Sequence, residues 1–358
     1  MSMLAEVVSA VRPISRDVLA VTQRRLDAKT KPRRSLGRLE DLACRIAAIQ
    51  GPSEPRMGDK AIVVMGADHG VTQEGVSAYP QEVTGQMLQN IAGGGAAISV
   101  LARQAGARVV VVDMGVTQAL PPGAELRTHR IGPGTGNFVR GPAMARAQAL
   151  EAIDVGLRIA GELALQGVSL LGIGDMGIGN TTASSALAAV LTQTAPGEVT
   201  GRGTGIDDAG LQRKLSAVER AIARNVPDPA DPIDVLSKLG GFEIAGLCGV
   251  VLGSAAKRLA VIVDGFIASV AALCALRICP AVTGYLIASH RSAEAGHGVV
   301  LAAMGQRPLL DLELRLGEGT GAALAMGLVD ASLRLVNEMA TFESAGISAA
   351  STLPPYRT

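Results

Sequence analysis

The stretch VSLLGIGDMGIGNTTAS, Val168 to Ser184, runs from a nearly unbroken apolar segment through a glycine loop into small, helix-compatible residues. An apolar run without polar alternation suits a strand covered on both faces, as in a parallel sheet. Strand, glycine loop and helix start in succession turn free backbone N–H groups and the positive end of the helix dipole toward the loop, which makes an anion site. The same grammar recurs in AIVVMGADHG (Ala61 to Gly70), RVVVVDMG (Arg108 to Gly115) and LAVIVDG (Leu259 to Gly265). Between these runs lie helix-like segments such as VTGQMLQNIAGGGAAISVLARQAG and AMARAQALEAIDVGLRIAGELALQG. Strands alternating with helices predict βαβ units and a doubly wound, mainly parallel α/β sheet. Ligands of such sheets bind beyond the carboxyl ends of the strands, where all of these Gly/Asp motifs would gather.

The rest of the chain fits around that sheet. Leu36, Leu39, Leu42, Ala43, Ile46 and Ile49 recur at helical spacing, so the first fifty residues read as helical, and GPSEPRMGD, Gly51 to Asp59, reads as a linker. The last helices, from about Gly321 to Ser344, resemble them in style. The expected organisation is therefore a small helical domain built from residues 1–55 and 321–358, flanking an α/β catalytic domain over 56–320. Hydrophobic residues at 48% supply a large core, and aromatics at 2% leave it to Ala, Val, Leu and Ile. A formal charge of +1 gives no electrostatic case for nucleic acid or an anionic membrane. Cys44, Cys248, Cys274 and Cys279 form no CxxC pair and read as buried thiols of a reducing compartment. The most lipid-like segment, from Leu259, is interrupted by Asp264, Arg277 and Pro280 and falls short of the ~20 residues of a span. These features predict a soluble cytoplasmic protein.

Each motif has a plain reading beside a functional one. GIGDMGIGNTTAS is a tight strand-to-helix turn capped by Thr, or a phosphate cradle with Asn180, Thr181 and Thr182 as added donors; it is neither a Walker A nor a clean GxGxxG. GRGTGIDD, Gly201 to Asp208, is a second glycine loop, and Lys214 beyond it either completes a phosphate clamp or is a solvated helix residue. Asp68 and His69 of GADHG invite a metal with His290 and His297, but the spacing matches no zinc pattern, so hydrogen-bonding histidines are expected and no metal. Tyr79, Pro80 and Met87 could face a flat ligand or simply pack. Asp264 of VDGF is a helix cap or a ribose- or ring-binding acid. In LRLGEGTGAAL, Leu314 to Leu324, a single carboxylate, Glu318, sits between two glycines that permit close approach of a ligand, or it marks a loop entering a helix.

Taken in order, SLGRLE at Ser35, ADHGV at Ala67, GIGDMGIGNTT, DVLSKLGGFEIAG at Asp234, VDGF at Val263, CPAVTGYLIASHRSAE at Cys279 and RLGEGTGAALAM at Arg315 resemble the nicotinate-nucleotide:dimethylbenzimidazole phosphoribosyltransferase family of cobalamin nucleotide-loop assembly. The resemblance implies a Rossmann-like domain, a small helical domain, a homodimer and no cofactor. It implies transfer of the phosphoribosyl group of nicotinate mononucleotide to 5,6-dimethylbenzimidazole, giving α-ribazole 5′-phosphate and nicotinate. It places the catalytic base on Glu318, phosphate contacts on Gly177 to Thr182, Gly203 and Lys214, and the benzimidazole pocket on Tyr79, Pro80, Met87, Leu316 and Glu318. Met176, Asp264 and Ser292 join the expected substrate contacts, and Asp175, where relatives carry Glu, joins Glu318 as a catalytic carboxylate. Relatives carry KPPGSLG where this chain has KPRRSLG, and some carry a smaller residue than Tyr79.

Such a reaction suits a carboxylate in an apolar pocket. A neutral benzimidazole attacks through its bare nitrogen and must lose the proton on the other one, so a single base suffices. Burial raises the pKa of a Glu toward the working range. The phosphate is an anchor and not the reacting group, so no metal is required. Two other readings stand beside this one: a metal-dependent nucleotide or phosphosugar transferase of the same fold, and a nucleotide-binding module without catalysis.

Overall fold

The computed structural model describes residues 2–51, 54–121 and 125–348; residues 52–53 of the expected linker and 349–358 of the expected C-terminal part lie outside them. The chain opens with three helices, α1 (Met3–Ala10), α2 (Arg16–Asp27) and α3 (Arg38–Gln50). Strand β1 (Asp59–Ala67) follows, then helices α4 (Val83–Ala92) and α5 (Ala97–Ala105), strands β2 (Ala107–Gly115) and β3 (Leu126–Thr128), and helix α6 (Arg146–Leu165). Strand β4 (Val168–Met176) leads through helices α7 (Asn180–Thr192), α8 (Pro196–Val199), α9 (Asp208–Asn225), α10 (Pro232–Leu239) and α11 (Phe242–Ala256) to β5 (Ala260–Val263). Helix α12 (Phe266–Ile278), strands β6 (Leu286–Ala288) and β7 (His290–Arg291), helix α13 (His297–Ala303), strand β8 (Leu310–Asp311) and helix α14 (Thr320–Glu338) complete it.

Six of the strands form one sheet in the order β3-β2-β1-β4-β5-β6, with every pair parallel. The chain first moves outward from β1 to β3, then returns to start β4 on the other flank of β1. That reversal is the switch point at which open α/β sheets leave a crevice beyond their strand ends. The expected doubly wound sheet is present.

Both faces of the sheet are covered, which explains the unbroken apolar runs. Ile62 to Met65 and Leu170 to Ile173 contain no exposed side chain. Neighbouring residues of β1 point to opposite layers. A Cβ at Gly66 would meet Leu88 of α4 at 2.7 Å, whereas Met65 occupies the space beside Gly246 of α11. Helices α6 and α11 touch backbone to backbone, since a Cβ at Gly156 would collide with the Gly246 carbonyl and one at Gly249 with that of Ile153.

VTGQMLQNIAGGGAAISVLARQAG is two helices, split at the glycine run before Ala96. The last helical stretch is a single helix, α14, followed by a turn at Thr341–Gly346. The segments after α2 and after α14 meet: the Thr30 N–H donates to the Ala340 carbonyl and the Phe342 N–H to that of Ala28, each at 3.1 Å. Helix α14 also lies against the sheet, since a Cβ at Gly172 on β4 would meet Ala322 at 3.1 Å. A boundary between residues 320 and 321 thus cuts its first turn. Among the described residues no helix is long and apolar enough to cross a membrane.

Candidate active site

A cavity of about 650 Å³ opens beyond the carboxyl ends of the strands. One wall is the collar around Glu318. Gly317, Glu318 and Gly319 have φ of 81°, 60° and 90°, three left-handed residues in succession. Two glycines adopt this freely, but Glu318 does so at a cost, and such strain gathers at functional sites. Gly174 on β4 makes room for the collar, since a Cβ there would overlap the backbone of Glu318 and Gly319. The Glu318 side chain lines the cavity while 5% exposed, and its Oε2 has no hydrogen-bond partner. Burial raises its pKa, partly offset by the Ile98 backbone N–H.

Asp175, near the end of β4, lies beside the collar. Its Oδ2 accepts from Asn180 Nδ2 at 2.9 Å and its Oδ1 has no partner. Burial raises its pKa well above the ordinary carboxylate value, and the negative charges of Asp264, Glu243 and Glu318 add to the rise. Asp264 is a helix cap, but of a distant helix. Its carboxylate accepts from Gly319 N at 3.0 Å, Gly321 N at 2.7 Å and Ala322 N at 3.1 Å, satisfying the first turn of α14. Burial lifts it to about 7 against those three bonds, and it does not line the cavity.

The start of α7 and the second glycine loop form a further stretch of the lining. Helix α7 begins after Gly179, which has φ of 98° and provides no side-chain cap. Thr181 Oγ1 accepts from Lys214 Nζ at 2.8 Å, and a Cβ at Gly203 would stand 2.8 Å from that hydroxyl and 3.1 Å from Nζ. The two glycine loops and the lysine are therefore one cluster, and the solvated-helix reading of Lys214 is corrected: it is 1% exposed. Burial lowers its pKa to about 8, with Glu294 pulling the other way. An ammonium buried without a carboxylate within bonding distance is set up to receive an anion.

The remaining expected residues divide. Met176, Gly177, Asn180, Thr181, Gly203, Ser292, Met87 and Leu316 line the cavity together with Tyr79, which is 55% exposed at the mouth. Pro80, Thr182, Lys214 and Asp264 are not part of the lining; Thr182 is fully buried, with no partner for its hydroxyl. The histidines bond within the protein. His69 Nε2 lies 2.7 Å from Glu243 Oε1, both fully buried. His297 Nδ1 accepts from Ser292 N at 2.8 Å and its Nε2 faces Ser269 Oγ at 3.0 Å, so the ring is neutral with its proton on Nε2. Burial pushes its pKa down to about 3.

Sequence reasoning missed His290, Phe266 and Arg315 as lining residues. Each sits inside a motif already singled out, SHRSAE, VDGF and RLGEG, so the signal was the motif and not the residue type. The His69–Glu243 pair, 174 positions apart, carried no local signal at all.

Residues 11–347 match the family model described as Phosphoribosyltransferase. The chain is similar to the nicotinate-nucleotide–dimethylbenzimidazole phosphoribosyltransferases of Roseiflexus sp. (strain RS-1), 53% identical, and Chloroflexus aurantiacus, 51% identical, each over 97% of this chain and 99% of the relative. The crystal structure of CobT from Thermus thermophilus superposes with a TM-score of 0.90 at 46% identity, covering 93% of this chain and all of that one.

Proposed function

The chain belongs to the phosphoribosyltransferase family, and from that premise we propose that it transfers the phosphoribosyl group of nicotinate mononucleotide to 5,6-dimethylbenzimidazole, with Glu318 as the general base. The observation that carries the reading is one cavity that brings together the uncapped start of α7, Thr181 backed by buried Lys214, and two buried carboxyls with unpartnered oxygens, Asp175 and Glu318. Nicotinate mononucleotide offers a phosphate to the helix start and a cationic pyridinium on C1′ to the carboxyls. Helix α14 also starts at this cavity, but Asp264 already occupies its amides; α7 and α12 both start there without a side-chain cap, and α7 is the one beside Lys214.

The phosphate anchors on Thr181 and the Gly203 loop, with the ammonium of Lys214 bonded behind Thr181 to supply charge, and that remote binding energy holds C1′ in place. A bare nitrogen of the benzimidazole donates its lone pair to C1′ while the bond to the nicotinate nitrogen breaks. The leaving pair neutralises the pyridinium, so nicotinate departs without a proton. The proton on the second benzimidazole nitrogen passes to Glu318. A raised pKa suits Glu318 to this transfer near neutral pH. Asp175, also in the lining, faces the positive charge that C1′ gains. Tyr79, Met87 and Leu316 offer the flat apolar bed for the incoming base. In-line displacement inverts the anomeric centre and gives the α product.

Incubating the protein with both substrates tests this. Equimolar release of nicotinate and α-ribazole 5′-phosphate, unaffected by a chelator, is the expected result. A reaction that stops on chelation favours the metal-dependent transferase, and nucleotide binding without turnover favours the non-catalytic module.

A further inference from the structure

A second cavity, of about 670 Å³, shares no lining residue with the first. It lies between helices α2 and α3, the end of β6 and the turn after α13. Its size is that of a small-molecule site. Among the described residues five arginines line it, Arg16, Arg34, Arg38, Arg45 and Arg307, against one carboxylate, Asp41. Asp41 pairs directly with Arg34, at 3.2 Å. Arg38 is held by the carbonyl of Arg307 at 2.8 Å and that of Pro308 at 3.3 Å, and Arg45 by the Leu286 carbonyl and Gln306. Those partners orient the guanidinium groups without cancelling their charge, and each retains further N–H donors. Burial depresses Arg38 and Arg45, and the neighbouring guanidinium, Arg307 beside Arg38 and Arg38 beside Arg45, depresses each further, with Asp41 offsetting part of the effect on both. Fixed, mutually repelling guanidinium groups on a concave wall are the arrangement that recognises phosphate by paired hydrogen bonds. The rest of the wall is apolar, with Leu19, Leu42 and Ile287 among its residues.

We propose that this cavity binds a phosphate monoester carrying a compact apolar group, at a site separate from the Glu318 cavity. The arginines take the phosphate and the Leu19–Leu42–Ile287 wall takes the body. Nothing in this requires the reaction proposed above.

The chain has no tryptophan. Leu19→Trp therefore places the sole indole in this cavity, where its emission reports local occupancy. Phenyl phosphate should give a saturable change, with a dissociation constant at least tenfold below that of inorganic phosphate. Arg38→Gln with Arg307→Gln should weaken phenyl phosphate by tenfold or more. If Leu19→Trp does not fold, calorimetry on the unmodified chain serves instead: binding heat that survives Lys214→Ala and disappears in the arginine pair supports the site. Heat lost in Lys214→Ala and kept in the arginine pair would place the phosphate only in the first cavity and overturn the proposal. So would a change of oligomeric state in the arginine pair by sedimentation, which would make this wall a contact between copies of the chain.

Discussion

Gly174→Ala tests whether the Glu318 carboxyl is held in place by the sheet beneath it. A Cβ at Gly174 would sit 2.6 Å from the Glu318 carbonyl oxygen and closer still to Glu318 C and Gly319 N. Ordinary contact begins near 3.4 Å, so the collar must retreat by about 1 Å. Its retreat is opposed by Asp264, which stands beside Gly174 at the end of the neighbouring strand and grips the amides of Gly319 and Gly321. A displacement of about 1 Å at a catalytic group costs on the order of 10²-fold in rate. Steady-state turnover with nicotinate mononucleotide and dimethylbenzimidazole should fall by about that factor, while calorimetric affinity for the nucleotide stays near the parent value. Gly161→Ala, on α6 with nothing within 4 Å, is the matched control. It should keep full activity and gain a few tenths to about 1 kcal/mol in stability from the helix backbone. A folded Gly174→Ala protein turning over within twofold of the parent would refute the idea that this contact positions Glu318.

Lys214→Ala should raise the Michaelis constant for the nucleotide and leave that for the benzimidazole nearly unchanged; equal use of the unphosphorylated nucleoside by the parent would remove the clamp. In the parent, Lys214 loses its charge above about pH 8, so nucleotide affinity should hold below that pH and decline above it, a step that Lys214→Ala abolishes. His297 is neutral in the fold down to about pH 3 but binds a proton below about 6.5 when unfolded, so its contribution to stability is present above 6.5 and lost as pH falls; in His297→Gln the melting temperature should decline less steeply with acid. Tyr79→Ser removes aromatic contact worth about 0.5–1.5 kcal/mol and should shift the product ratio between dimethylbenzimidazole and adenine several-fold; an unchanged ratio would return Tyr79 to the rim.

The strand runs were legible because burial on both faces leaves no polar alternation to misread, and their Gly/Asp endings pointed to one edge of the sheet. The glycine loop at Gly177, the second loop at Gly203 and the acid at Glu318 were each visible as local departures from helix and strand grammar. What joins them was not. Lys214 reads as an ordinary helix lysine until Thr181, 33 positions earlier, is folded against it. Asp264 was open between cap and ligand because its three amides belong to a helix 55 or more residues downstream. The arginine cavity draws on residues 14–45 and 287–307, and no short window of sequence contains it. Long-range pairing sets charge state and burial, and periodicity carries only the local part.

The claim that Glu318 accepts the benzimidazole proton is tested most directly with a base that has none to give. In 1-methyl-5,6-dimethylbenzimidazole one nitrogen is methylated, so attack by the other yields a cationic ribotide and no proton is lost. Rates for parent and Glu318→Gln are compared on both bases. With dimethylbenzimidazole the substitution should lower turnover roughly 10²–10⁴-fold, the range of general-base catalysis. With the methylated base, parent and variant should turn over at similar rates. An equal loss on both bases would contradict the account, because Glu318 would then be acting on something other than that proton.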